Sequence, residues 1–204
     1  MVDLVPSPSS VMEILQETGA YRKGHFIYPN GKHASHYFQM PLAFRYYDNA
    51  RILSVGLSRL FRMEKSISSH LPKVSVISPS PGGIMVAFGV REALSAEQIY
   101  WAEMEEGRRQ FRQYMAESDV HPAIIVDDIL RSGKAIEETI ALCKEIGTEV
   151  IGIGTIARFE DGPSEFDSVP VKSLLTFDVN FYATEEEWSK SRSASEADVE
   201  KVRF

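Results

Sequence analysis

The 204-residue chain is short of several things, and each shortage removes a class of function. It has one cysteine, Cys143, which excludes an intrachain disulfide and any metal site built from several thiolates. No apolar run approaches the roughly 20 residues that span a bilayer, so no membrane span is expected. Met1-Val2-Asp3-Leu4 places no basic stretch ahead of an apolar one. No secretory leader is read there, and the expected compartment is the cytoplasm. Positive charge is in deficit: 22 Lys and Arg against 29 Asp and Glu leave a net charge of -7. That sign disfavours a nucleic-acid or anionic-membrane surface, so neither partner is expected. A small anionic ligand is compatible with it, because such a ligand needs only a local cluster of donors. With 44% hydrophobic and 25% charged residues the chain can bury a core, and it shows no repeat and no linker. Residues 1–204 are therefore read as one domain.

What is present alternates along the chain. Pro6-Ser7-Pro8-Ser9-Ser10 reads as a loop ending in a helix N-cap. Val11, Ile14, Leu15 and Thr18 follow at helical spacing, and Gly19 is the stop. Residues 25–40 mix aromatic and polar side chains around Pro29-Asn30-Gly31, a turn signal that predicts a hairpin. Ile52, Val55, Gly56 and Arg59 predict a helix over 48–61. Short apolar runs at 74–77, 99–102, 123–126, 150–156 and 171–177 predict strands, with helical stretches at 84–94 and 136–146. Residues 103–119 are polar, carry three arginines and show little apolar periodicity. From Thr184 the chain is charged and serine-rich, with a surface helix expected after Ser195. Continuous apolar strands alternating with helices predict an α/β fold, a mainly parallel sheet covered on both faces.

The most informative stretch is Ile124-Ile125-Val126-Asp127-Asp128-Ile129-Leu130-Arg131-Ser132-Gly133-Lys134-Ala135-Ile136. An apolar strand meets two adjacent acids, then a hydroxyl-glycine turn, then a helix. In an open parallel sheet, ligands sit beyond the carboxyl ends of the strands, where this turn lies. Unpaired N–H groups at the helix start, with the positive end of its dipole, form an anion site. Two carboxylates do not bind phosphate. They suit ribose hydroxyls, a hydrated Mg²⁺ or positive charge developing on a sugar ring. The plainer alternative is a strand-turn-helix whose acids are solvated or cap the helix.

This stretch resembles the phosphoribosyl pyrophosphate (PRPP) motif of type I phosphoribosyltransferases. Arg131 and Ala135 depart from the usual pattern, where small or hydroxyl residues stand. The hydroxyl missing at Ala135 would weaken phosphate binding by on the order of 1–2 kcal/mol, which Arg131 or Lys134 can offset by charge. Other segments are similar to the orotate branch of that family. Gly24 to Gln39 resembles its N-terminal hairpin, Pro79-Ser80-Pro81-Gly82-Gly83-Ile84 its pyrophosphate loop, and Tyr100-Trp101-Ala102-Glu103 the strand entering its catalytic loop.

The resemblance implies a type I phosphoribosyltransferase fold. Residues 1–45 would contribute a hood shared with the C-terminal region, 46–183 the core and 184–204 a tail. It implies transfer of phosphoribose from PRPP to a nitrogenous base such as orotate, with Mg²⁺ on the diphosphate and a homodimer as the working unit. Asp127 and Asp128 would hold the ribose hydroxyls and, through water, the metal. Arg131, Ser132, Gly133, Lys134 and Ala135 would cradle the 5′-phosphate, and Pro81, Gly82 and Gly83 would face pyrophosphate. Tyr37, Phe38 and Arg158 would meet the base. Orotate enzymes carry a lysine-rich catalytic loop, whereas residues 103–112 here hold no lysine. Arg108, Arg109 or Arg112 would supply the charge, or would merely offset the neighbouring glutamates. Two alternatives stay open: an enzyme of this fold using another base, and a catalytically silent PRPP- or nucleotide-binding regulator.

Overall fold

The computed structural model describes residues 5–28, 31–113 and 121–191. The first part of the chain forms α1 (Pro8–Glu17), β1 (Tyr21–Ile27), β2 (His33–Phe38), α2 (Pro41–Phe44), α3 (Tyr47–Arg62) and α4 (Lys65–Ser68). The middle forms β3 (Ser75–Ser78), α5 (Ile84–Leu94), β4 (Gln98–Glu105), β5 (Arg108–Phe111), β6 (Ala123–Leu130) and α6 (Lys134–Glu145). Then come β7 (Val150–Phe159), β8 (Glu165–Phe166), β9 (Val169–Phe177), β10 (Phe181–Tyr182) and α7 (Glu185–Ser189). Among the described residues no helix is long and apolar enough to cross a membrane.

The larger sheet has the strand order β5-β4-β3-β6-β7-β9-β8. Its five central strands are parallel, and the outer β5 and β8 pair antiparallel. Alternate side chains of a strand face opposite ways, and β6 divides its apolar residues accordingly. Ile124 and Val126 join Val11, Leu57 and Val86 in a core under α1, α3 and α5. Ile125 joins Ile77, Ile153 and Ile140 in a second core under α6. The sheet is thereby covered on both faces, which is why its strands read as unbroken apolar runs.

A second sheet, β1-β2-β10, packs as a hood over the ends of β7 and β9. Ala34, Phe159 and Val179 form its core with Tyr28, Phe38, Phe177 and Phe181 packed around them. The C-terminal region closes this hood twice. Phe181 pairs with Ala34 in register, and the buried Trp188 of α7 stacks on His25 at 3.7 Å and 8°.

Several local expectations are corrected. The first helix starts at Pro8 rather than after Ser10: Ser7 is the cap, its Oγ accepting from the Ser10 N–H at 3.1 Å. Pro8 suits the first turn, where its missing N–H has no partner to lose. Strand β6 does not stop at the acids but runs to Leu130, which pairs with Arg158 of β7. Polar residues 103–111 belong to the β4–β5 hairpin, with Glu105 opposite Arg108. Its two-residue turn, Glu106-Gly107, has positive φ at both positions (49° and 79°), the geometry that matches strand twist. The first hairpin begins at Tyr21, earlier than the patterning predicts. Pro29 and Asn30, and the helix expected after Ser195, lie outside the described residues.

Candidate active site

Parallel pairing of β3 with β6 brings the turn after β3 against the two acids of β6. The Ser80 hydroxyl donates to Asp127 Oδ1 at 2.7 Å, and the Asp128 N–H donates to the same oxygen at 3.0 Å. The Ile129 N–H donates to Asp128 Oδ1 at 2.8 Å. The glycines of the turn make this approach possible. A Cβ at Gly83 would stand 2.6 Å from Asp127 Oδ1, and one at Gly82 would stand 2.8 Å from Asp128 Oδ2. Pro81 is exposed at the tip of the turn.

Burial raises both carboxyls above the ordinary range, and the Asp128 charge raises Asp127 further. The hydrogen bond from Ser80 pulls Asp127 partly back. Two crowded, poorly solvated carboxylates favour a proton or a cation between them. Among the described residues no group of three or more His, Cys, Asp or Glu could hold a metal. A metal at this pair would therefore take its remaining ligands from substrate and water. Mg²⁺ fits that donor set, being held commonly by one or two carboxylates and substrate phosphates.

Beyond the acids the chain turns into α6 through Gly133, whose φ of +77° is the left-handed conformation that glycine tolerates. A Cβ there would also meet the Phe166 ring at 2.6 Å. A cavity of about 160 Å³ opens at this turn, lined by Asp127, Arg131, Ser132, Gly133, Lys134 and Ala135 among others. Backbone N–H groups at the start of a 12-residue helix supply its donors. The Arg131 guanidinium lies 3.5 Å over the Phe181 ring, while Lys134 is 77% exposed and 3.7 Å from Glu138.

The remaining expected residues are placed as follows. Arg109, only 10% exposed, donates from Nε to Glu138 at 2.9 Å and from Nη1 to the Pro79 carbonyl. It ties the β4–β5 arm to both the turn and α6. Arg112 pairs with Glu105 at 3.1 Å and Glu103 at 3.6 Å, and Arg108 is exposed. Arg158 donates to the Gly162 carbonyl at 2.9 Å and the Phe159 carbonyl at 3.3 Å. Phe38 stacks on Phe177 at 4.2 Å inside the hood, and Tyr37 lies 5.5 Å from Phe26. The acids, the glycine turn and the helix start thus converge, whereas Arg158 and Phe38 are held by neighbours. Ser80, Glu138 and Phe181 were not singled out from sequence. Ser80 alone carried a signal, as a hydroxyl inside the Pro/Gly turn.

No family model matches this sequence. The orotate phosphoribosyltransferase of Thermotoga petrophila is 32% identical over 176 residues, covering 86% of this chain and 89% of that protein. The enzyme of the same name from Thermoanaerobacter sp. is 33% identical over 176 residues, covering 86% and 88%. The chain belongs to the orotate phosphoribosyltransferase family. Its fold agrees with that of the Mycobacterium tuberculosis orotate phosphoribosyltransferase solved with PRPP, at a TM-score of 0.59 and 15% identity. That match covers 84% of this chain and 96% of the other. On this member of the orotate phosphoribosyltransferase family, the turn into α6 carries Arg131, and the β4–β5 arm carries Arg108, Arg109 and Arg112 and no lysine.

Proposed function

We propose that this protein transfers the phosphoribosyl group of PRPP to orotate, forming orotidine 5′-monophosphate and releasing pyrophosphate. The observation that carries the reading is the contact of the Pro79–Gly83 turn with Asp127 and Asp128 beside a phosphate-sized cavity. A ribosyl 5-phosphate seated in that cavity directs its anomeric carbon toward the glycine turn. In the reaction the C1–oxygen bond to pyrophosphate breaks and a bond to the base nitrogen forms. Positive charge develops on the sugar ring, and the two carboxylates stand where it needs stabilising. Gly82 and Gly83 let the turn face the pyrophosphate, and the Gly82 N–H receives the departing negative charge, the Gly83 N–H being bonded to Ser80 within the turn. Arg109 braces that turn through the Pro79 carbonyl, and the exposed Arg108 is the arm residue assigned to the leaving group. Mg²⁺, when bound with the diphosphate, would neutralise part of its charge, and Asp127 and Asp128 are the residues that would hold it. Tyr37, Phe38 and Arg158 are assigned to the base, an arginine being the partner suited to the orotate carboxylate.

The working unit in this reading is a cytoplasmic homodimer. An open groove of about 580 Å³ between α3 and α5 is lined by Tyr47, Arg51, Val55, Met85, Phe88 and Glu92. Tyr47 and Phe88 are exposed large apolar side chains, and the groove carries both charge signs in Arg51 and Glu92, which lets the patch complement its own copy across a two-fold axis. Sedimentation equilibrium of wild type and Phe88→Glu tests it, with a monomeric variant as the expected result.

The activity test is pyrophosphate release from PRPP and Mg²⁺ across a panel of bases, with Asp128→Asn as control. Release with orotate that Asp128→Asn abolishes is the expected result. Release only with another base would replace orotate in the reading. PRPP binding without release from any base would turn it into a regulator, an outcome to which the absence of lysine from the arm points.

A further inference from the structure

We infer that Phe181 is a positioning residue for the 5′-phosphate: its ring holds Arg131 at the phosphate turn, so the hood helps set affinity for the phosphoribosyl substrate. The inference rests on the proposed reading of the 131–135 turn as a phosphate site. Arg131 Cζ lies 3.5 Å from the Phe181 ring centroid and 5.8 Å from that of Phe159. At 3.5 Å the guanidinium must lie against the face of the ring, where the quadrupole attracts a cation without consuming N–H donors. Those donors, arranged in a planar fork, remain available to an anion.

The ring is itself fixed. Phe181 pairs with Ala34 of β2 in register. Its ring meets Tyr28 edge-on at 5.5 Å and Phe159 at 5.8 Å. Arg131 also lines the cavity shared by Ser132, Gly133 and Ala135. Ala135 brings no hydroxyl to that cavity, and the exposed Lys134 leans toward Glu138 instead. Of the turn's two cations, the guanidinium is therefore the one that no carboxylate pairs among the described residues. A long side chain ordered before the ligand arrives loses less freedom on binding, which raises affinity without any new contact to the ligand.

The test uses the full chain, with ribose 5-phosphate binding by calorimetry and PRPP kinetics with orotate. Wild type, Phe181→Leu, Phe181→Tyr, Arg131→Ala and the Phe181→Leu/Arg131→Ala double variant are compared. Phe181→Leu is expected to weaken ribose 5-phosphate and raise the KM for PRPP about fivefold, the ratio set by ~1 kcal/mol of cation–π attraction. Its kcat should be unchanged, and Phe181→Tyr should restore wild-type affinity. In the Arg131→Ala background, Phe181→Leu should add nothing. Unchanged affinity in Phe181→Leu, an equal loss with and without Arg131, or a fall in kcat in place of the KM effect would each overturn the inference. Turnover of orotate with affinity indifferent to Phe181 sinks the inference alone. Phe181-dependent ribose 5-phosphate binding without turnover of any base sinks the proposed activity alone. Failure of the wild type to bind ribose 5-phosphate sinks both.

Discussion

The Ser80 hydroxyl donates to Asp127 Oδ1 at 2.7 Å, joining two segments 47 positions apart in sequence. Ser80 is bonded on its other sides as well, its carbonyl accepting from Ser78 Oγ at 2.6 Å and its hydroxyl from the Gly83 N–H at 3.3 Å. One residue therefore couples the shape of the glycine turn to the position of a buried carboxyl. Such pre-arranged polar groups act on developing charge without having to reorganise during the reaction.

The Asp127 carboxyl is lifted from 3.8 to about 8 by burial and then by the Asp128 charge. The folded form holds this proton more tightly than the unfolded chain, so stability falls as pH rises from about 4 to about 8. Asp127→Asn removes the charge and keeps an acceptor for Ser80. At pH 8 it should raise stability by about 1 kcal/mol or more while abolishing transfer. Thermal unfolding at pH 5 and pH 8 checks this: wild type should lose more than the variant between the two.

Gly83→Ala should separate the turn from the acids. Its methyl would meet Asp127 Oδ1 at 2.6 Å, Ser78 Oγ at 2.7 Å and the Asp127 Cα at 3.0 Å. The backbone atom cannot swing aside, so the turn must move. A shift near 1 Å lowers turnover by roughly 100-fold, and steady-state kinetics measure it. Turnover within a few-fold of wild type would show that the turn is not where leaving-group charge is handled.

Arg109→Lys should fail to replace arginine. A single ammonium does not reproduce two divergent bonds, to Glu138 and to the Pro79 carbonyl, from one planar group. A loss of about 1–2 kcal/mol is expected, read by urea denaturation. Glu138→Gln should lose a similar amount, with the two losses non-additive in a double-mutant cycle.

Trp188→Ala should loosen the hood more than the core. Trp188 is buried against His25, whose Nε2 lies 2.6 Å from His33 Nδ1 on the facing strand. Removing so large a buried ring leaves a cavity costing about 3 kcal/mol. Hydrogen exchange should show β1 and β2 amides losing protection while β6 and β7 keep theirs. Uniform loss across both sheets would instead make α7 a support of the whole fold.

Much of the core was legible because its signals are local. Apolar runs such as 123–126 and 150–156 reflect burial on both faces, and Gly133 marks a helix start that needs positive φ. The outer part of the β4–β5 hairpin was not legible from apolar patterning, because residues 103–110 are mostly polar and pair through the backbone there. The roles of its arginines were hidden for a related reason. Whether Arg109 is solvated or braced depends on Glu138 and Pro79, which only tertiary contact brings near.

By itself, then, the sequence determined an α/β chain with an acid pair followed by a glycine turn into a helix. Periodicity and backbone preference act over a few residues and survive in any fold. The tertiary structure decided that β3 and β6 are neighbours although β4 and β5 intervene in the chain. That adjacency sets Ser80, Gly82 and Gly83 on Asp127 and Asp128. It likewise decided that Phe181 meets Arg131 and Trp188 meets His25. Contacts between distant segments depend on which surfaces the whole chain buries together, and no local window of sequence carries that information.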